Sequence, residues 1–141
     1  MKSLILAFLI LSISCFAQQN EKKGTIKIKK VETDTTIYST VEEMPGYPGG
    51  DQALFSFISS NMTYPDSAKF NGISGTCYIT FTINTDGNVS NVRILRGVAG
   101  CPECDLEALR VILSMPKWLP AKNKGRPVRV QYSLPIKFIL R

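Results

Sequence analysis

Hydrophobic and polar residues alternate along the last stretch of the chain, "GRPVRVQYSLPIKFILR". Val128, Val130, Tyr132, Leu134, Ile136, Phe138 and Leu140 fall on one face, and Arg129, Gln131, Ser133, Pro135 and Lys137 on the other. A period of two predicts a long strand with one buried face. Pro135 has no N–H to give to a ladder, so the strand is predicted at an edge of its sheet. The same period recurs in "GTCYITFTINTDGNVSNVRILRG". There Cys77, Ile79, Phe81 and Ile83 alternate with Tyr78, Thr80 and Thr82. Asp86-Gly87 supplies the turn, and Val92 and Ile94 continue the apolar face on the return strand. This predicts a β-hairpin.

Helical periods separate the strands. "DQALFSFISSN" follows the Pro- and Gly-rich "MPGYPGG", with Gly50 or Asp51 as the cap and Leu54, Phe57 and Ile58 on one face. A short helix follows Pro65 and stops at Gly72. "DLEALRVILSMP" predicts a third helix, capped by Asp105, with Leu106, Leu109, Ile112 and Leu113 as its stripe, ended by Pro116. Helices beside alternating strands predict an α+β fold: a three-stranded antiparallel sheet, helices packed on one face, solvent on the other.

The start of the chain differs. Residues 1–17 carry one lysine, an apolar run from Leu4 to about Phe16, and Ala17 before Gln18. This is the pattern of a secretory leader, cleaved after Ala17 and leading to an extracytoplasmic space. An uncleaved anchor is the second reading, though the run is shorter than the roughly 20 residues a spanning helix needs. Lipidation of Cys15 is the third, with Ser12 standing where such signals carry leucine. Residues 18–44 are polar and read as a linker, with an extra strand in "TIKIKKV" (Thr25–Val31). The domain itself is placed at residues 45–141.

Composition narrows the chemistry. The chain has 141 residues, a formal charge of +6 and no histidine. Without histidine there is no Ser-His-Asp or Cys-His nucleophile system, no histidine-containing zinc site, and no side-chain base near neutral pH. The acidic residues form no paired-carboxylate arrangement, and "PGYPGG" lacks phosphate-loop spacing. No enzyme, cofactor or metal site is expected. Lys117, Lys122, Lys124, Arg126, Arg129, Lys137 and Arg141 form a run without an acid between them. A solvated face is the plain reading and attraction to acidic segments the functional one. Nucleic acid is not expected for an exported chain.

Once Cys15 leaves with the leader, Cys77, Cys101 and Cys104 remain. "CPEC" reads first as a loop disulfide between Cys101 and Cys104, next as free thiols, and last as a redox or metal motif, since it follows a hairpin rather than a βαβ unit. Cys77 reads as a small core residue, and Trp118 and Tyr64 as buried anchors.

From Val41 to Leu140 the motifs resemble, in order, the C-terminal domain of TonB. They are Tyr47-Pro48-Gly49-Gly50, Tyr64-Pro65, Gly72-Ile73-Ser74-Gly75, Asp86-Gly87, Glu107-Ala108-Leu109-Arg110 and Met115-Pro116-Lys117-Trp118. The resemblance implies a periplasmic domain that pairs, strand to strand, with the TonB box of TonB-dependent outer-membrane transporters, in the service of energy-dependent transport. Its partner-binding strand maps onto Val128, Arg129, Val130, Gln131, Tyr132, Ser133, Leu134 and Pro135. It also implies the ExbB–ExbD motor as a partner. This chain is set apart there by its short apolar leader and by a segment before Val41 that reaches under about 100 Å. The alternative partner for an open edge is a second copy of the chain, giving a homodimer.

Overall fold

A computed structural model describes residues 35–141. The leader, the Cys15 alternative and the Thr25–Val31 strand lie outside the described residues. The described elements are β1 (Ile37–Tyr38), α1 (Asp51–Asn61), α2 (Asp66–Phe70), β2 (Gly75–Ile83), β3 (Val89–Arg96), α3 (Pro102–Leu113), β4 (Ala121–Asn123) and β5 (Arg126–Phe138). The fold is α+β. Its three long strands form an antiparallel sheet in the order β3–β2–β5. Two short strands join it. β4 makes a hairpin with β5 through Lys124 and Gly125, both at positive φ, the backbone that a two-residue turn requires. β1 lies parallel to β5.

The apolar face of the sheet carries the core. Cys77, Ile79, Phe81 and Ile83 of β2 are buried beside Val130, Leu134, Ile136 and Phe138 of β5. Each large side chain so buried contributes about 1.5–3 kcal/mol. Trp118 is buried in an aromatic cluster with Tyr47, Phe81 and Tyr132. Tyr64 is half-buried, with its ring against Phe138 and its hydroxyl donating to the Ile73 carbonyl.

Four local expectations change. In α3 the buried face is Cys104, Ala108, Val111 and Ile112, whereas Leu106 and Leu113 are both 66% exposed. Small residues fill the tight contact with the sheet, and the larger leucines lie off that face. The helix also starts three residues early. Pro102 takes the first turn and the Cys101 sulfur accepts from the Cys104 amide, while the Asp105 carboxylate instead accepts from the Val98 amide, 2.8 Å away. In the hairpin loop only Gly87 has positive φ, because the loop is longer than two residues: the Asn84 amide donates to the Asn88 carbonyl across it. The outer sheet face is not wholly open to water. Thr80 and Thr82 are buried there, each with its hydroxyl accepting a bond, from Gln131 and Asn91 respectively.

A polar clamp fixes α3 to the loop after α1. Glu107 accepts from the Thr63 amide at 2.7 Å and pairs with Arg110, which also donates to the Asn61 carbonyl. The hydrogen bond from Arg110 holds the Glu107 carboxyl below the usual carboxylate range.

Candidate functional site

The prolines of β5 decide which way its backbone faces. Pro135 sits opposite Tyr78 in an unbroken register that runs from Gly75↔Phe138 to Ile83↔Val130. A residue without an N–H fits an uninterrupted ladder only if its nitrogen points away from the partner strand. Backbone groups alternate between the two edges of a strand. Val130, Tyr132, Leu134 and Ile136 therefore bond to β2, and Gln131, Ser133, Pro135 and Lys137 face the other, outer edge. Pro127, opposite Lys122 in the β4 hairpin, obeys the same rule. β4 and β2 thus share the inner edge of β5, end to end. The Trp118 amide, just before β4, donates to the Gly87 carbonyl in the β2–β3 loop at 2.9 Å, which joins the two at that point.

Among the described residues the outer edge is covered at its start. β1 pairs there as Ile37↔Arg129 and Tyr38↔Val130. The Arg129 guanidinium reinforces it, donating to the Thr35 carbonyl at 3.1 Å and to Asn84 Oδ1 at 3.0 Å. Beyond Val130, no strand pairs with the outer edge among the described residues. Of the stretch singled out from sequence, Val128 is paired with Ala121 of β4, and Arg129 and Val130 lie beside β1. Gln131, Tyr132, Ser133, Leu134 and Pro135 span the open part. The outer edge of that stretch is therefore not open from Val128 onward: at Arg129 and Val130 it is occupied by β1, a strand too short to show a period.

The open edge offers the Gln131 carbonyl and the amide and carbonyl of Ser133, then a gap in donors at Pro135, then Lys137; the Gln131 amide itself is turned to the Tyr38 carbonyl through the Tyr38↔Val130 bridge. Its geometry is held from behind. Tyr132, between Gln131 and Ser133, packs its ring on Phe81 and Trp118 at centroid distances of 5.7 and 5.2 Å. The Gln131 side chain donates to Thr80 Oγ1 at 3.0 Å. At the far end, a groove of about 700 Å³ lies between α1 and the chain end. Phe55, Ile58 and Met62 line one side of it, and Pro135, Lys137, Ile139 and Arg141 the other. Sequence reasoning did not find this groove. Its one signal was Phe55, an apolar residue off the Leu54–Ile58 stripe.

The cysteines form a separate, buried group. Cys101 and Cys104 are joined by a disulfide and both are buried. The buried Cys77 thiol is pushed up to about 12, first by burial and then by the neighbouring Asp105 carboxylate. A thiol held neutral near pH 7 is a poor nucleophile, and a buried disulfide gives an attacking thiolate no approach. This arrangement serves packing better than redox exchange. Among the described residues no helix is long and apolar enough to cross a membrane.

Residues 60–140 match the family model for the C-terminal region of the Gram-negative bacterial TonB protein. The chain is 32% identical over 70 residues to Protein TonB of Helicobacter pylori strain J99, a match covering 46% of this chain and 25% of that protein. The matched part thus spans a quarter of the length of this curated relative. Two solution NMR structures of the H. pylori TonB C-terminal domain are also similar. The shorter fragment is 27% identical with a TM-score of 0.49, covering 62% of this chain and 90% of that one. The longer is 26% identical with a TM-score of 0.46, covering 64% and 79%. With the family model spanning more than half of its length, the chain belongs to the TonB C-terminal domain family.

Proposed function

We propose that this chain is a periplasmic, partner-binding component of TonB-type transport, exported by its leader, and that it takes an extended segment of an outer-membrane transporter as an added strand on the outer edge of β5. The observation that carries this reading is the run of outward backbone groups at Gln131 and Ser133, directly beyond β1 on the same edge. Residues 37 and 38 already use that edge as an added parallel strand would. An unpaired edge is a template for another chain, and main-chain bonds supply the affinity in this mode of recognition. Each such bond is worth about 0.5–1.5 kcal/mol net, so a short segment binds weakly and reversibly. Family membership favours a transporter segment over a second copy of the chain as the occupant.

Ser133→Pro tests the reading. It removes one outward donor and puts a ring on the outer edge, while the ladder to β2 loses no bond. Peptides from the transporters of the same organism are expected to bind this variant at least about tenfold more weakly. Its circular dichroism and unfolding midpoint should stay near those of the parent. Gln131→Pro is the companion variant; it also breaks the pairing of the Gln131 amide with β1 and the Gln131–Thr80 bond, so it reports on the covered start of the edge. Folded variants with unchanged affinity would overturn the assignment.

A further inference from the structure

We propose that the groove between α1 and the end of β5 is a side-chain pocket that selects the incoming strand. It would seat an apolar residue on Phe55, Ile58 and Met62 and hold a neighbouring carboxylate at Lys137 and Arg141. This inference rests on the strand-addition reading and names the chemistry of the segment.

The apolar floor is already built. Phe55 is 60% exposed and Ile139 is 62% exposed, yet both line one depression together with Ile58 and Met62. Single exposed apolar residues are ordinary. Two large ones across a shared groove are not explained by packing, because α1 buries Leu54 and Ile58 instead. Phe55 lies about 100° round the helix from Leu54 and is spare for a partner.

Position ties the groove to the edge. Pro135 and Lys137 belong both to the outer edge and to the groove wall. A strand added to β5 would lie about 4.8 Å from it, with every second side chain turned to the helix face. At Pro135 the edge has a carbonyl acceptor but no donor, so main-chain bonds fix the incoming strand less firmly there. A side-chain pocket at that point restores both register and selectivity.

Charge sets the second requirement. Lys137 and Arg141 are both exposed, and no acid lines the groove. Among the described residues neither cation makes an ion pair. Cations beside an apolar floor fit an extended segment with an aliphatic or aromatic residue next to Asp or Glu, and they disfavour a basic segment.

The test titrates the full chain by NMR with three blocked synthetic decapeptides of alternating valine and threonine. One is uncharged, one has glutamate at its N-terminal end, and one has glutamate at its C-terminal end. One of the two glutamate peptides, by strand polarity, should bind about threefold to fivefold more tightly than the uncharged one. The preference should vanish when Lys137→Gln and Arg141→Gln are combined. Phe55→Ser should weaken all three about tenfold, with the Gln131 and Ser133 amides still shifting at saturation. If those amides shift but Phe55→Ser and the double variant bind like the parent, the pocket is refuted and strand addition survives. If no peptide moves Gln131 or Ser133, strand addition fails and the pocket with it.

Discussion

Phe81→Ala is expected to lower the stability of the protein by about 3–5 kcal/mol, the usual loss for a large aromatic deleted from a packed core. Phe81 is 1% exposed at the centre of β2. Its ring lies 5.7 Å from that of Trp118 and 5.7 Å from that of Tyr132, both tilted against it. Truncation removes its buried area and leaves a hole that two rigid rings cannot close. Against a typical total of about 5–15 kcal/mol, this is a large fraction. Function follows the same path. Tyr132 lies between the outward-facing Gln131 and Ser133, so loosening its ring loosens the edge. Urea unfolding measures the effect, with the slope checked against the parent. Phe70→Ala is the control, since Phe70 is 91% exposed and its loss should stay within about 0.5 kcal/mol. A Phe81→Ala loss below about 1 kcal/mol would mean that the aromatic cluster does not hold the sheet.

Gly87→Ala is expected to cost about 2–4 kcal/mol, from two sources of similar size. Gly87 has φ +88, and a side chain in left-handed backbone costs roughly 1–2 kcal/mol. A Cβ there would also stand 2.0 Å from the Trp118 carbonyl oxygen and 3.1 Å from the Trp118 nitrogen. These are backbone atoms and cannot swing aside. The amide bond from Trp118 to the Gly87 carbonyl would be lost or bent, for about 1 kcal/mol more. Gly72→Ala separates the two sources. Gly72 has φ +65 but nothing within 4 Å of its would-be Cβ, so it should show only the conformational part. Equal losses at the two glycines, in parallel thermal or urea unfolding, would argue against the close approach of the hairpin loop to Trp118. That approach matters because it locks the inner edge of β5, where β4 ends and β2 begins.

The parts legible in the sequence were those with a sustained period. β5 alternated from Val128 to Leu140 and β2 from Cys77 to Ile83, and the faces of both followed directly from it, while β3 was read from Val92 and Ile94 after the Asp86-Gly87 turn. Pro135 gave the open edge, since a proline in a long alternating strand admits few other places. α3 was recognisable, but its face was not. Leu106 and Leu113 outweigh Cys104 and Ala108 on any hydrophobicity count, yet the smaller pair makes the close contact. β1 and β4 have two and three residues, too few to show a period. They exist because β5 offers them an edge, which is a long-range cause that local pattern does not carry. The same holds for the groove, whose walls come from residues 55–62 and 135–141.

The most direct test of the open edge is amide hydrogen exchange along β5 in the full chain without a partner. An open outer edge requires alternation: fast exchange at Ser133, slow exchange at Tyr132, Leu134 and Ile136, and protection at Arg129 and Gln131 from β1. Equal, slow exchange at all of these amides would mean that the edge is already occupied, and strand addition at Gln131 and Ser133 would be contradicted.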